Sequence, residues 1–186
     1  MDKVKRFLPA VLTIVASLIF LQSLFFKFTG AEDTVQIFGL IELTARTMLG
    51  IEGLFVGGLF NAYVIGSVEL ITAVLLLAGL FLGHKLLQTL GALLGLGVIS
   101  GAIFFHLFTD LGVNVPFASS GCPVIDLDGL GGPASREAIL ATAGCQPDPS
   151  LFVMACVVWL SCVGLLILNR ARLARLLGRK QAAASL

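Results

Sequence analysis

The sequence predicts an all-α integral membrane protein, a bundle of four transmembrane helices. Hydrophobic residues make up 58% of the 186 residues and charged residues only 12%, whereas soluble domains carry about 25% charged residues. A soluble chain of this length has too much surface for its volume to bury so much apolar area. Four stretches also reach the roughly 20 largely apolar residues that a spanning helix needs. The formal net charge of +1 gives no indication of nucleic-acid binding.

The four spans are predicted to form one membrane domain that covers residues 1–186. They lie at about residues 7–26, 63–82, 86–108 and 151–168. All four must be helical, because unpaired backbone groups are too costly in hydrocarbon. The first span follows a basic N-terminus, as a signal-peptide core does, but its apolar run exceeds the roughly 7–15 residues of such a core. We therefore interpret it as a retained span.

The basic residues predict that both termini lie in the cytoplasm, because cytoplasmic segments of membrane proteins carry an excess of Lys and Arg. With the N-terminus inside, nine of the twelve basic residues are cytoplasmic: Lys3, Lys5, Arg6, Lys85, Arg170, Arg172, Arg175, Arg179 and Lys180. The other three are Lys27, Arg46 and Arg136. Residues 27–62 and 109–150 are then outer segments and residues 169–186 a cytoplasmic tail, in a cell membrane such as the bacterial inner membrane.

The first outer segment is predicted to contain an amphipathic helix in the membrane interface, capped by Asp33 or Thr34. Its polar face is Gln36, Gly39, Glu42, Leu43 and Arg46, and its apolar face is Val35, Ile37, Phe38, Ile41 and Leu49. Glu42 and Arg46 have the spacing of a surface ion pair on a helix. A partly re-entrant hairpin is the alternative, and the sequence does not separate the two.

The second outer segment is rich in Gly, Pro, Asp and Ser, which is typical of a loop. One short helix is predicted over residues 135–143, with Ser135 as its cap. It is the largest polar segment of the chain.

The four cysteines fall into two pairs. Cys122 and Cys145 lie in the second outer segment, where disulfides persist, so we expect a bond between them. That bond is either a structural staple or a redox-active pair, and the lack of a C-x-x-C spacing favours the staple. Cys156 and Cys162 lie in the fourth span, where free cysteine packs as a small apolar residue. The cysteines and histidines form no zinc pattern.

Polar residues in three of the spans form the candidate functional site: Gln22, Lys27, Glu69 and His106. A rise of about 1.5 Å per residue places all four in the outer third of the bundle. A polar group in hydrocarbon is costly, so each one needs a partner or a purpose. Glu69 must be neutral or paired at this depth, and we expect it to contact Lys27 or His106.

Each of these residues also has a structural interpretation. Lys27 alone is typical of a snorkelling anchor, and His106 alone is typical of an interfacial histidine with a backbone partner. A pair that includes Glu69 can hold helices together without taking part in chemistry. A role in ligand binding, proton transfer or redox chemistry is the functional alternative. No metal site is predicted.

The third span is rich in glycine and is predicted to be the central contact helix. Gly91 with Gly95, and Gly97 with Gly101, give two G-x-x-x-G spacings, and such small residues let membrane helices approach closely. His84, Lys85 and Gln88 mark the inner turn before this span, and we interpret them as ordinary interface residues.

These motifs resemble the DoxX family and its superfamily of small four-helix membrane proteins. The resemblance rests on Gln-Ser-Leu-Phe-Phe-Lys-Phe-Thr-Gly at 22–30, Gly-Ser-Val-Glu at 66–69 and Gly-Ala-Ile-Phe-Phe-His at 101–106. It covers about residues 5–112 and the last helix. DoxX-like proteins are linked to quinone- or thiol-related redox systems, so the resemblance implies such a system, with a quinone as the implied cofactor. The cysteine-bearing outer segment departs from the short members of the family and indicates a partner outside the membrane.

Three functional hypotheses follow. The first is a component of a quinone- or thiol-linked redox system at the outer side of the membrane. The second is a non-enzymatic assembly factor or subunit that binds a periplasmic or membrane protein partner through the outer loop. The third, a small-solute carrier, ranks last because no internal repeat of the transporter kind is visible. Lipid is the partner common to all three, and whether the protein is an enzyme stays open.

Overall fold

The fold was taken from a computed structural model, which describes residues 2–129 and 131–174 and the side chains from Phe7 onward. The predicted cytoplasmic residues Arg175, Arg179 and Lys180 lie outside the described residues. Six α-helices are present in the described part: α1 Asp2–Thr29, α2 Glu32–Thr44, α3 Ala62–Phe81, α4 Lys85–Phe108, α5 Arg136–Leu140 and α6 Ser150–Leu168.

Four of these helices, α1, α3, α4 and α6, are long and apolar enough to cross a membrane, with mean hydropathies of 2.0 to 2.8. They coincide with the four predicted spans, which are therefore confirmed as helices of spanning length. Large apolar side chains such as Phe7, Leu18 and Leu160 lie exposed on their outer surfaces. Four helices of this length and apolar character, with exposed apolar outer surfaces, are typical of a multi-pass membrane protein.

The four long helices form a ring in which each packs mainly against two neighbours. α1 and α4 both pack along α3 and α6, so α1 and α4 are diagonally opposed. α4 also reaches Thr13 and Phe20 of α1 through Gln88 and Gly95. The third span therefore contacts all three other spans, but it stands at a corner of the ring and not at the predicted centre. We call the end with the segments 30–61 and 109–149 the loop end, and the end with the 82–84 turn the tail end.

The glycines of α4 behave differently along its length. A Cβ on Gly91 would meet Leu75 and Leu76 of α3, and a Cβ on Gly95 would meet Thr72 of α3 at about 3.0 Å. This first pair of glycines thus allows the close packing that was predicted. Gly97 and Gly101 have no neighbouring atom within 4 Å of the same position, so the second pair does not pack against a helix of the described chain.

A buried polar network closes the tail end of the bundle. Gln88 is only 1% exposed, and its Nε2 donates to the Thr13 hydroxyl at 2.8 Å while its Oε1 accepts from the Asn169 amide at 3.1 Å. The sequence analysis interpreted Gln88 as an ordinary interface residue, but the structure buries it and pairs its amide on both sides. Helical periodicity puts it on the same buried face as Gly91 and Gly95, and the network joins α1, α4 and α6.

At the loop end, α2 starts and packs differently from the prediction. It begins at Glu32 without a side-chain cap, so neither Asp33 nor Thr34 caps it. It ends in one π-helical turn over Ala45–Leu49, and Gly50 follows at φ +65°. Of the residues assigned to the apolar face, Phe38 and Ile41 are buried, whereas Val35 and Leu49 are 51% and 67% exposed.

The second loop-end segment is folded and cross-linked. Cys122 and Cys145, 23 residues apart, form the predicted disulfide. A backbone bridge between Val115 and Asp148 brings the two ends of the segment together. The Ser135 hydroxyl accepts from the Ala138 N–H at 3.2 Å, as predicted for a cap, although α5 ends at Leu140 and is shorter than expected.

Candidate functional site

A cavity of about 570 Å³ lies between the helices at the loop end of the bundle. All four residues of the predicted polar site, Gln22, Lys27, Glu69 and His106, line it. Most of the remaining lining residues are apolar and come from α1, α2, α3, α4 and α6. The volume falls within the range of about 300–1,000 Å³ typical of small-molecule sites, so the helices enclose a space that a small ligand can occupy.

The charged part of the site is an ion pair between two helices. The Lys27 ammonium lies 2.8 Å and 3.1 Å from the two Glu69 carboxylate oxygens, and the Ser23 hydroxyl is 2.7 Å from Glu69 Oε2. Gly66, one turn before Glu69, lies against Leu24 and Lys27, with no side chain to hold α1 away. The expected Glu69–Lys27 contact is therefore present.

Ser23 belongs to this group although the sequence analysis did not select it. Its oxygen also lies 3.2 Å from the Lys27 ammonium and 2.9 Å from the Phe20 carbonyl oxygen. The available signal was its position four residues before Lys27, on the same face of α1. That signal is weak, because a helical serine usually bonds to its own backbone.

His106 contributes a group without a protein partner. Its Nδ1 lies 2.6 Å from the Gly112 carbonyl oxygen, and only 3% of the residue is exposed. A carbonyl only accepts, so Nδ1 carries the proton and Nε2 of the neutral ring is an acceptor. Nε2 has no hydrogen-bond partner among the described residues, and the alternative Glu69–His106 contact is not formed. His106 thus has the expected backbone partner and also lines the cavity.

Gln22 differs from the other three residues because it is exposed. It lines the cavity from α1, on the flank toward α6, and its amide has no bond to another described side chain. It therefore belongs to the rim of the cavity and stands apart from the Lys27–Glu69 pair.

The cavity is covered at the loop end by α2 and by residues 117–120. The Asp33 carboxylate accepts from the Ser119 N–H at 3.0 Å and from its hydroxyl at 2.7 Å. The fully buried Gln36 accepts from the Ile125 N–H at 2.7 Å and donates to the Pro123 carbonyl at 3.4 Å. The predicted polar face of α2 is thus a buried face, because the second loop-end segment supplies its backbone partners.

Gln36 gives a direct test of this cover. Gln36→Met keeps the size of the side chain but leaves the Ile125 N–H unpaired in a dry site, which costs about 1–3 kcal/mol. We expect the variant to lose about that much stability in detergent-micelle unfolding. Gln22→Met, the same change at an exposed position, is the control and should change stability by less than about 0.5 kcal/mol. Equal stabilities would show that Gln36 does not hold the cover.

Glu42 of α2 anchors the other side of the cover. It was predicted to form a surface ion pair with Arg46, but it is fully buried. Its carboxylate accepts from the backbone N–H groups of Gly53, Phe55 and Val56, while Arg46 lies 3.4 Å away. Burial raises the pKa of Glu42, but these hydrogen bonds outweigh burial and hold the pKa below its ordinary value. The predicted Glu42–Arg46 ion pair is therefore present, but its carboxylate is buried instead of lying on the surface. Glu42 also organises the chain before α3.

The disulfide lies behind the cavity cover. Cys122 N–H donates to the Phe117 carbonyl at 3.3 Å, and Gln146 N–H donates to the Ser120 carbonyl at 3.2 Å. Phe117 and Ser120 line the cavity, whereas neither cysteine is among the described residues that do so. The bond therefore holds together the two chain segments behind the cover, which is the arrangement of a structural staple.

Comparisons with known proteins add no family to this geometry. No protein-family model, no curated protein and no solved structure matches the chain. Within the described residues, no group of three or more His, Cys, Asp or Glu side chains is arranged to hold a metal ion. Three features of the cavity bear on its function: its apolar walls, the Lys27–Glu69 ion pair, and the imidazole nitrogen of His106 that has no partner among the described residues.

Proposed function

We propose that the protein is a DoxX-like component of a quinone-linked redox system in a bacterial inner membrane, and that its cavity binds the quinone or quinol ring. The observation that carries this proposal is His106, a residue only 3% exposed that lines a largely apolar 570 Å³ cavity and whose Nε2 has no hydrogen-bond partner among the described residues. A neutral ring with a hydroxyl or carbonyl oxygen fits such walls, since a few polar groups in an apolar pocket fix orientation.

The orientation in the membrane supports an outer site. Among the described residues, three basic residues lie toward the loop end and six toward the tail end, so the basic residues favour a cytoplasmic tail end. Those at the loop end are Lys27, Arg46 and Arg136, and those at the tail end are Lys3, Lys5, Arg6, Lys85, Arg170 and Arg172. The loop end, with its disulfide, then faces the oxidising side of the membrane, where such bonds persist.

The chain's residues can bind a quinol and move its protons. The lone pair of His106 Nε2 accepts a hydrogen bond from a hydroxyl and can take its proton, which makes the ring imidazolium. Gly112 keeps the donor at Nδ1 and so fixes which nitrogen faces the cavity. The Lys27 ammonium stabilises negative charge that develops on an oxygen beside it. Quinol oxidation releases two protons and two electrons. His106 Nε2 takes the protons one at a time and releases each to the loop-end side, and the two electrons reduce a redox partner protein.

Two substitutions of His106 test this assignment. His106→Asn retains a donor for the Gly112 carbonyl but removes the group at the Nε2 position, so a quinol analogue should bind about tenfold more weakly, the effect of one lost hydrogen bond. His106→Gln places an amide near the Nε2 position and should retain most of the binding. Titration of purified protein in nanodiscs measures both.

Glu69→Gln is the companion experiment, because it removes the charged pair and leaves His106 intact. The quinone site is excluded if the wild-type protein binds no analogue, or if Glu69→Gln and His106→Asn both bind as the wild type does. Unchanged binding in all variants would assign the polar cluster to helix packing alone.

The folded loop-end surface favours an assembly factor as a second candidate. The disulfide and the Val115–Asp148 bridge give this segment a fixed shape, and its α5 exposes Glu137 and Ala138. A pull-down with Glu137→Lys tests this function. Loss of a partner with quinone binding intact supports it, and retention of every partner argues against a contact through α5.

A further inference from the structure

The two halves of the α3–α4 seam differ in a way that bears on how a ligand reaches the cavity. In the tail half, Gly79, Gly91 and Gly95 bring the helices together opposite Gln88, Leu76 and Thr72 respectively. In the loop half, Gly97 and Gly101 meet no atom within 4 Å, yet both line the cavity, and Gly97 is exposed. The seam is close-packed in the tail half, and in the loop half the cavity extends to the exposed Gly97 on the surface of α4.

The depth of the opening follows from the register of the two helices. Gly79 of α3 lies opposite Gln88 of α4, and Thr72 of α3 lies opposite Gly95 of α4. The two helices are antiparallel, so each residue toward the start of α3 corresponds to one residue toward the end of α4. Gly101 is therefore level with Gly66, and Gly97 with Leu70. At 1.5 Å per residue, the opening lies roughly 6–12 Å from the loop end of α3, within the hydrocarbon half-layer of about 15 Å.

The walls of the opening are apolar. Besides the two glycines, Val68 of α3 and Val98 and Phe105 of α4 line the cavity on this flank. Glu69, one residue after Val68, is at the same level but turns toward Lys27 of α1. An apolar chain can therefore leave the cavity here without passing the ion pair, while the unpartnered nitrogen of His106 remains on the inner side.

We infer that the ligand enters from the bilayer between α3 and α4, and that its apolar chain lies in the gap left by Gly97 and Gly101. This inference rests on the proposed quinone site and deepens it: the substrate class is a lipid-soluble quinone with a single long chain. The ring occupies the cavity near His106, and the chain extends into lipid at the level of Glu69. Because Gly97 and Gly101 have no side chains, they leave room for the quinone's chain, and this room determines the specificity for a quinone that carries one.

The test uses two probes, a dimethoxy-methyl-benzoquinone with a decyl chain and the same ring without the chain, titrated into protein in nanodiscs. Gly101→Phe and Gly97→Phe fill the gap, and no backbone atom opposes the new Cβ. Each should weaken binding of the decyl probe roughly tenfold, equivalent to the loss of about two buried methylene groups, and leave the ring alone within about twofold. Leu90→Phe, in the tail half of α4, is the control and should bind both probes as the wild type does.

Each other outcome has a definite meaning. If the wild type binds the ring but Gly101→Phe changes neither probe or both equally, the opening is not the chain's exit and the quinone site survives. If Gln22→Trp, at the α1–α6 seam, selectively blocks the decyl probe, the chain leaves by that seam and the inference is overturned. If the wild type binds neither probe, the proposed function fails and this inference fails with it.

Discussion

Lys27→Met is expected to destabilise the protein by about 3–5 kcal/mol, the usual cost of removing one partner from a buried ion pair. The substitution leaves the Glu69 carboxylate with Ser23 as its remaining side-chain partner. Glu69 lies two turns inside α3, roughly 10 Å from its end, so it cannot reach water as a terminal side chain can. Unfolding in mixed detergent micelles measures the loss.

Glu69→Gln is expected to cost less than Lys27→Met. Lys27 lies two residues from the end of α1, and its long side chain can turn toward the loop end and water. The double variant Lys27→Met with Glu69→Gln should recover most of the stability, because no unpaired charge remains. Lys85→Met, at an exposed position, is the control and should stay within about 0.5 kcal/mol of the wild type. Additive losses in the double variant would mean that the two side chains are not coupled.

This cycle also separates the structural and functional interpretations of the pair. A double variant that is stable and still binds quinol as the wild type does would show that the pair only joins α1 to α3. A double variant that is stable but has lost binding would place the pair in the ligand site. A measurement of stability alone does not distinguish a structural from a functional role of the Lys27–Glu69 pair, because a buried ion pair is compatible with both.

The spans and the ion pair were predictable from sequence because each follows from the cost of placing polar groups in hydrocarbon. Twenty apolar residues have few alternatives to a spanning helix. A single carboxylate such as Glu69 inside one of them demands a partner, and few basic residues lie near its level. The same physics predicted that Lys27, Glu69 and His106 would lie near one another, and the structure places all three on one cavity.

The packing of α2 was not predictable, because its partners come from distant parts of the chain. Gln36 pairs with backbone groups 87 and 89 residues away. Helical periodicity divided α2 into two faces, but the structure buries Gln36 and Glu42 of one together with Phe38 and Ile41 of the other. The sequence gives no sign that a later segment would cover the polar face. The sequence analysis assigned polar residues of α2 to the exposed side because they are polar. That rule fails for Gln36, whose amide is buried but hydrogen-bonded to backbone groups.

The glycines of α4 show a similar limit. Gly91, Gly95, Gly97 and Gly101 form two identical spacings in sequence, yet only the first pair contacts a neighbouring helix. A G-x-x-x-G spacing indicates that another helix can approach closely, but it does not indicate whether a helix lies on that side of α4. Which glycines meet a neighbour is thus a property of the fold and cannot be read from the spacing.

Glu42→Gln is expected to destabilise the protein by roughly 3 kcal/mol, because a buried carboxylate that accepts three backbone N–H bonds has no neutral substitute. Each hydrogen bond to a charged group contributes about 1.5–3 kcal/mol, and the new amide NH₂ must face the Gly53 N–H. The chain from Gly53 to Val56 depends on this one acceptor group. Glu52→Gln, the same change at an exposed position ten residues later, should change stability by less than about 0.5 kcal/mol.

Glu42 also predicts how stability changes with pH. Its pKa in the folded protein lies below the ordinary value of 4.5, so on acidification the unfolded chain takes up the proton first. The stabilisation from its carboxylate is complete above that value and is lost as the pH falls through the lower, folded-state pKa. Asp126 and Asp148, whose pKa values are lowered by hydrogen bonds, add to the same acid loss. The stability difference between the wild type and Glu42→Gln should therefore shrink from pH 6 to pH 3, and a constant difference over that range would contradict a charged Glu42 in the folded protein.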